Sequence, residues 1–149
     1  MTTNWLEQFP QEKIIEWRRH IHQYPELSFE ESSTSQYIAE LLAGFPNMKV
    51  IRPTQTSVVG ILQGAAGPGP TIALRADIDA LPITEETDLP FKSSVDGVMH
   101  ACGHDTHAAM LLGTAYVIAQ MQEQLQYVLS NLDVENKVGG QAVLGRQVQ

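Results

Sequence analysis

The densest concentration of chemically capable side chains is Met99-His100-Ala101-Cys102-Gly103-His104-Asp105-Thr106-His107, which holds the only cysteine, three of the five histidines and an aspartate in nine residues. A thiolate is a soft ligand and an imidazole a borderline one, a pair that suits Zn²⁺ and tolerates Mn²⁺, Co²⁺ or Ni²⁺ less predictably. In a Cys-x-His spacing the two side chains share a face of extended backbone, and Gly103 between them leaves φ free, so Cys102 and His104 can ligate one ion together. The same residues also fit a buried thiol acting as a small hydrophobe and histidines that merely cap a helix.

Two more carboxylates follow an apolar run, Asp77 and Asp79 after Thr71-Ile72-Ala73-Leu74-Arg75-Ala76. A carboxylate that accepts a hydrogen bond from the far nitrogen of a ligating imidazole fixes its tautomer and raises its basicity. Asp77 is the candidate for that task; the alternative is an aspartate that only starts a turn. Glu85, Glu86 and Asp88 lie in a proline-bounded stretch without periodicity and are predicted to form a solvated acidic loop without chemistry. His20 and His22 are read as histidines at a helix end.

The elements that must position these groups are legible as periodicity. Pro10 to Gln23 has the spacing of a helix with Trp17 and the isoleucines in the core, and Pro25 stops it. A second helix follows, with Ser28 and Glu31 at capping-box spacing and Tyr37, Ile38, Leu41, Leu42 and Phe45 on one face. Lys49–Ile51, Ser57–Leu62 and Thr71–Ala76 read as strands, the last two paired as an antiparallel hairpin across a Gly/Pro-rich turn, and Thr71–Ala76 as buried. In open α/β sheets ligands bind beyond the carboxyl ends of strands, where the aspartates fall. A long helix is expected from Asp105, as N-cap, to about Gln126, packed through Ala108, Leu111, Leu112, Ala115, Ile118 and Ala119. Tyr127 to Ser130 is a further short strand, before a polar, glycine-rich tail.

At 149 residues with 43% hydrophobic and 17% charged side chains, the chain has the size and composition of one folded domain. A formal charge of −8 disfavours nucleic acid and anionic membrane as partners and leaves small molecules or proteins. The first residues lack a basic segment followed by an apolar core, and one cysteine cannot form an internal disulfide, which together predict a cytoplasmic setting.

Arg75-Ala76-Asp77-Ile78-Asp79-Ala80-Leu81-Pro82-Ile83, then Glu85-Glu86-Thr87 and Leu89-Pro90-Phe91, then Gly97-Val98-Met99-His100-Ala101-Cys102-Gly103-His104-Asp105, resemble the amidohydrolase family of hippurate hydrolase, N-acyl-amino-acid amidohydrolases and plant auxin-conjugate hydrolases. The likeness extends back through Arg18-Arg19-His20-Ile21-His22 and Pro25-Glu26-Leu27-Ser28-Phe29-Glu30-Glu31, and covers residues 10 to 126. It implies the N-terminal part of an α/β catalytic domain of zinc-peptidase type, without the lid or dimerisation domain, and a two-metal hydrolase, Zn or Mn, that cleaves the amide of N-acyl amino acids. Cys102 and His104 are then metal ligands, Asp77 supports the metal centre, and a later glutamate pair and later histidines complete it. The resemblance also implies homo-oligomerisation of a full-length form.

Where the family has a strand ending in Gln-Pro-Ala-Glu-Glu and followed shortly by Gly-Gly, this chain reads Tyr127-Val128-Leu129-Ser130-Asn131-Leu132-Asp133-Val134-Glu135-Asn136-Lys137-Val138-Gly139-Gly140, and no histidine follows His107. Residues 1–126 are accordingly expected to be part of the catalytic domain and 127–149 a divergent tail, with the chain incomplete and inactive alone. A non-catalytic binding or assembly module and a one-site metal-binding domain are the other readings.

Overall fold

The computed structural model describes residues 9–125 and the backbone of one further strand, Gln141–Gly145. Helix α1 (Gln11–Gln23) buries Trp17, Ile21 and His22, while Ile15, expected in the core, is 37% exposed. Helix α2 (Ser32–Ala43) buries Ile38, Ala39 and Leu42. Its capping box does not form. The Ser33 and Thr34 amides donate instead to the Glu26 carboxylate, at 3.1 and 2.7 Å, which satisfies two of the orphan donors of the first turn. The cause is a turn closed by Glu30 N–H to Leu27 C=O, with Phe29 at φ 68, which folds Glu26 over the helix start and leaves Ser28 away from it.

Strands β1 (Met48–Ile51), β2 (Val58–Leu62), β3 (Ala73–Asp77) and β4 (Gln141–Gly145) form one mixed sheet in the order β1-β2-β4-β3. β1 pairs antiparallel with β2, β2 parallel with β4, and β4 antiparallel with β3. The expected β2–β3 hairpin is therefore absent, because β4 lies between its arms. The connection 63–72 is too long and too rich in proline for a two-residue turn. It is held elsewhere, the Ala65 and Ala66 amides donating to the carbonyls of Gln122 and Leu125. β3 is an edge strand within this sheet, so Ala73, Leu74 and Arg75 are exposed despite a composition that reads as buried.

Helix α3 (His104–Gln120) packs through Ala108, Ala109, Leu112, Ala115 and Ala119 and gives way at Met121 to a short 3₁₀ turn, six residues before its expected end. Gly113 lets α1 lie close against it: a Cβ there would collide with Ile14. The helices and β2 share one core, with Trp17, Ile21, Ile38, Leu42, Phe45, Val58, Leu62, Ile78 and Leu112 among its members. The architecture is the mixed α/β class expected. The strand at Tyr127–Ser130 and the boundary after residue 126 lie outside the described residues.

Candidate metal centre

β3 runs out at Asp77, and the chain continues through the buried Ile78 to Asp79 and Ala80. A pair of backbone hydrogen bonds, Leu81 N–H to Met99 C=O and Met99 N–H to Leu81 C=O, each 3.0 Å, then draws loop 99–103 alongside this strand end. Gly103 turns the loop into α3 with φ 92, a left-handed value that glycine takes without strain. The helix begins at His104, and the Thr106 and His107 amides close its first turn on the Gly103 carbonyl.

This geometry delivers the His104 ring to Asp79. Nδ1 lies 2.9 Å from Asp79 Oδ1 and 3.0 Å from the Asp79 carbonyl. Both neighbours are acceptors, so Nδ1 carries the hydrogen and the lone pair is left on Nε2. Among the described residues no hydrogen bond engages Nε2. An imidazole oriented through Nδ1–H by a carboxylate, with Nε2 open, is the arrangement that metal-binding histidines use. Cys102, exposed and with a free thiol, stands two residues away. The donor set at this loop therefore fits a divalent ion. Among the described residues no cluster of three or more His, Cys, Asp or Glu surrounds such a position, so this part of the chain offers two donors.

The carboxylate that meets His104 is Asp79; the contact expected of Asp77 is not made. Asp77 accepts instead from Arg75 Nη2 at 2.6 Å, in a pair whose side chains are 56% and 38% exposed. Two residues apart on the same backbone, the two aspartates were not separable by spacing. Where the chain leaves β3 decides between them.

Behind the loop lies a cluster that the sequence reading did not assemble. Asp105 is not the N-cap of α3: it sits inside the first turn, fully buried, with Oδ2 receiving His22 Nδ1 at 2.7 Å and Arg18 Nε at 2.8 Å. The other nitrogen of His22 faces Glu85 Oε1 at 3.1 Å. Glu85 also accepts from Thr87 Oγ1 at 2.5 Å and from the Ser93 amide at 2.6 Å. It is buried, not solvated as expected. Burial alone would raise its pKa, but the Ser93, Thr87 and His22 hydrogen bonds prevail and bring it down to about 2.

His22 has a carboxylate within hydrogen-bond distance of each ring nitrogen. Arg18 Nη2 also comes within 3.2 Å of His22 Nδ1, beside the Asp105 Oδ2 that both residues share. His100 lies beside this cluster, its ring centroid 6.4 Å from that of His22. Burial holds His100 down at about 4, with the Asp105 carboxylate pulling the other way, and neither ring nitrogen has a partner among the described residues. No local signal marks Asp105, Glu85 or His22 as partners; His22 and Asp105 are 83 positions apart.

Residues 73–133, which contain both aspartates, Glu85 and the whole of the 99–107 loop, match the model of Peptidase family M20/M25/M40. This stretch belongs to the M20 peptidase family. An N-acyl-L-amino acid amidohydrolase of Geobacillus stearothermophilus is 51% identical over 113 residues, covering 76% of this chain and 30% of that protein. Thermostable carboxypeptidase 1 of Saccharolobus solfataricus is 45% identical over 141 residues, covering 85% of this chain and 33% of its own length. Among solved structures, the Bacillus subtilis YXEP protein, described as a dinuclear metal binding peptidase of the M20 family, matches with a TM-score of 0.65 and 33% identity over 91% of this chain and 34% of that one. The chain thus spans about a third of the length of these relatives. Among the described residues no helix is long and apolar enough to cross a membrane.

Proposed function

We propose that this chain carries part of the metal centre of an M20 amidohydrolase that cleaves the amide bond of N-acyl amino acids. The observation that supports this most directly is the His104–Asp79 pair, which leaves Nε2 as the free donor beside the Cys102 thiol. In this reading Cys102 and His104 ligate a divalent ion, Zn²⁺ or Mn²⁺, and Asp79 holds the imidazole in its ligating tautomer. Asp77 contributes charge near the strand end. A bound divalent ion would polarise the substrate carbonyl and lower the pKa of a water. Of the described residues, the junction of loop 99–103 with α3 supplies the donors, the segment just after β3 supplies the carboxylate that aims one of them, and the Leu81–Met99 bridge keeps the two in register.

The test is metal content of the purified chain after loading with Zn²⁺ or Mn²⁺. Wild type is expected to retain metal, and Cys102→Ala and His104→Ala to lose at least tenfold in affinity. Unchanged retention in both variants would overturn the assignment. Supplied with metal, the 149-residue chain is expected to release no free amino acid from hippurate or acetyl-amino acids, because the two donors among the described residues leave most coordination positions to water. Turnover that disappears in Cys102→Ala would show that other residues, from this chain or a second copy, complete the site.

A further inference from the structure

We propose that His22 is a positioning residue for the metal loop: clamped between Asp105 and Glu85, it holds the first turn of α3 so that His104 meets Asp79 in the ligating orientation. The proposal rests on the reading of Cys102 and His104 as metal ligands. Its own support is a continuous path of short contacts. Glu85 is anchored by the Ser93 amide and the Thr87 hydroxyl and accepts from His22 Nε2. His22 Nδ1 donates to Asp105 Oδ2 at 2.7 Å, and Asp105 is next in sequence to His104. The His22 side chain is 4% exposed and that of Asp105 fully buried, so water cannot substitute for either partner.

The two ring nitrogens of His22 have different reach. The Nδ1 arm ends on α3, one residue from the proposed ligand; the Nε2 arm ends on the 85–93 loop, which contains neither ligand. A group that only stabilises the fold would make metal affinity follow global stability whichever arm is altered. A positioning group would make metal affinity follow the Nδ1 arm and respond little to Glu85→Gln, which keeps the acceptor that clamps the ring. Glutamine at position 22 has a single amide nitrogen, which cannot reach carboxylates that lie on opposite sides of the imidazole at once. Glutamine at position 85 keeps an acceptor for His22 Nε2 while losing the charge.

The experiment titrates the full chain with Co²⁺, reading the thiolate-to-cobalt absorption, and measures urea stability of the same samples. Wild type should show the band and Cys102→Ala should not; absence of the band in wild type would reject the metal reading itself, before His22 is at issue. Given the band, His22→Gln should weaken Co²⁺ binding about tenfold and Glu85→Gln less than threefold, although both lower stability. Equal losses in the two variants, or unchanged binding in His22→Gln, would overturn the positioning role. Should His22→Gln fail to fold, wild type carries the test through reciprocity of coupling. Zn²⁺ should shift the His22 Nδ1 proton resonance and leave the Nε2 resonance in place, and equal movement or none at either nitrogen would count against the proposal.

Discussion

Loop 99–103 and the helix turn it feeds have two sides built from the same residue types, a histidine beside a carboxylate. On the outer side His104 meets Asp79, both about a quarter exposed, and one ring nitrogen is left over. On the inner side His22 meets Asp105, both buried, and a second carboxylate, Glu85, consumes the other nitrogen. The outer pair is open to a further partner. The inner pair is closed, each His22 ring nitrogen facing a carboxylate and Arg18 sharing Asp105. The number of acceptors around the imidazole, and not the identity of the pair, separates a group available for chemistry from one spent on structure.

Breaking the inner side should have the largest effect. Asp105→Ala removes the one acceptor shared by Arg18 and His22 and leaves uncompensated buried charge, for which about 3 to 5 kcal/mol of destabilisation is expected in urea unfolding. A loss below about 1 kcal/mol would mean that water reaches the cluster. The same side should be acid-labile. With its pKa lowered to about 2 from an unfolded value near 4.5, Glu85 contributes stability that is present above pH 4.5 and is lost as pH falls toward 2. Stability measured across that window should decline more steeply in wild type than in Glu85→Gln; parallel curves would show that the Glu85 hydrogen bonds are made equally in the unfolded chain.

Substitutions on the outer side should spare the fold. Asp79→Asn is expected to lower metal affinity about 10- to 100-fold with little change in unfolding midpoint, the usual result of removing a carboxylate behind a ligating histidine. Asp77→Asn, which loses only the exposed pair with Arg75, should shift stability by no more than about 0.5 kcal/mol and metal affinity by less than about threefold. Reversal of that order would restore Asp77 as the residue that serves the metal.

What could be read in advance follows the range of the interactions concerned. The three helices and the first three strands were legible because periodicity is local, and Cys102 and His104 stood out through residue type and spacing. The choice of Asp79 over Asp77 turned on the backbone direction after β3, which alternation alone does not encode. Glu85 and Asp105 were misread, and the partners of the helix-end His22 missed, for a related reason: each looks like an ordinary surface or capping residue until α1, the 85–93 loop and α3 are brought together. β4 escaped notice because Gln141-Ala142-Val143-Leu144-Gly145 has only two strongly apolar residues, and its place between β2 and β3 is a long-range choice.

The separation of 83 positions between His22 and Asp105 also bears on how the protein is made. At typical elongation rates of about 5 to 20 residues per second, α1 leaves the ribosome roughly 4 to 17 s before the carboxylate that neutralises it exists. During that interval Arg18 and His22 are better hydrated than buried, so α1 has reason to stay undocked. Burial of Arg18 and His22 is compensated only once three distant segments have arrived together.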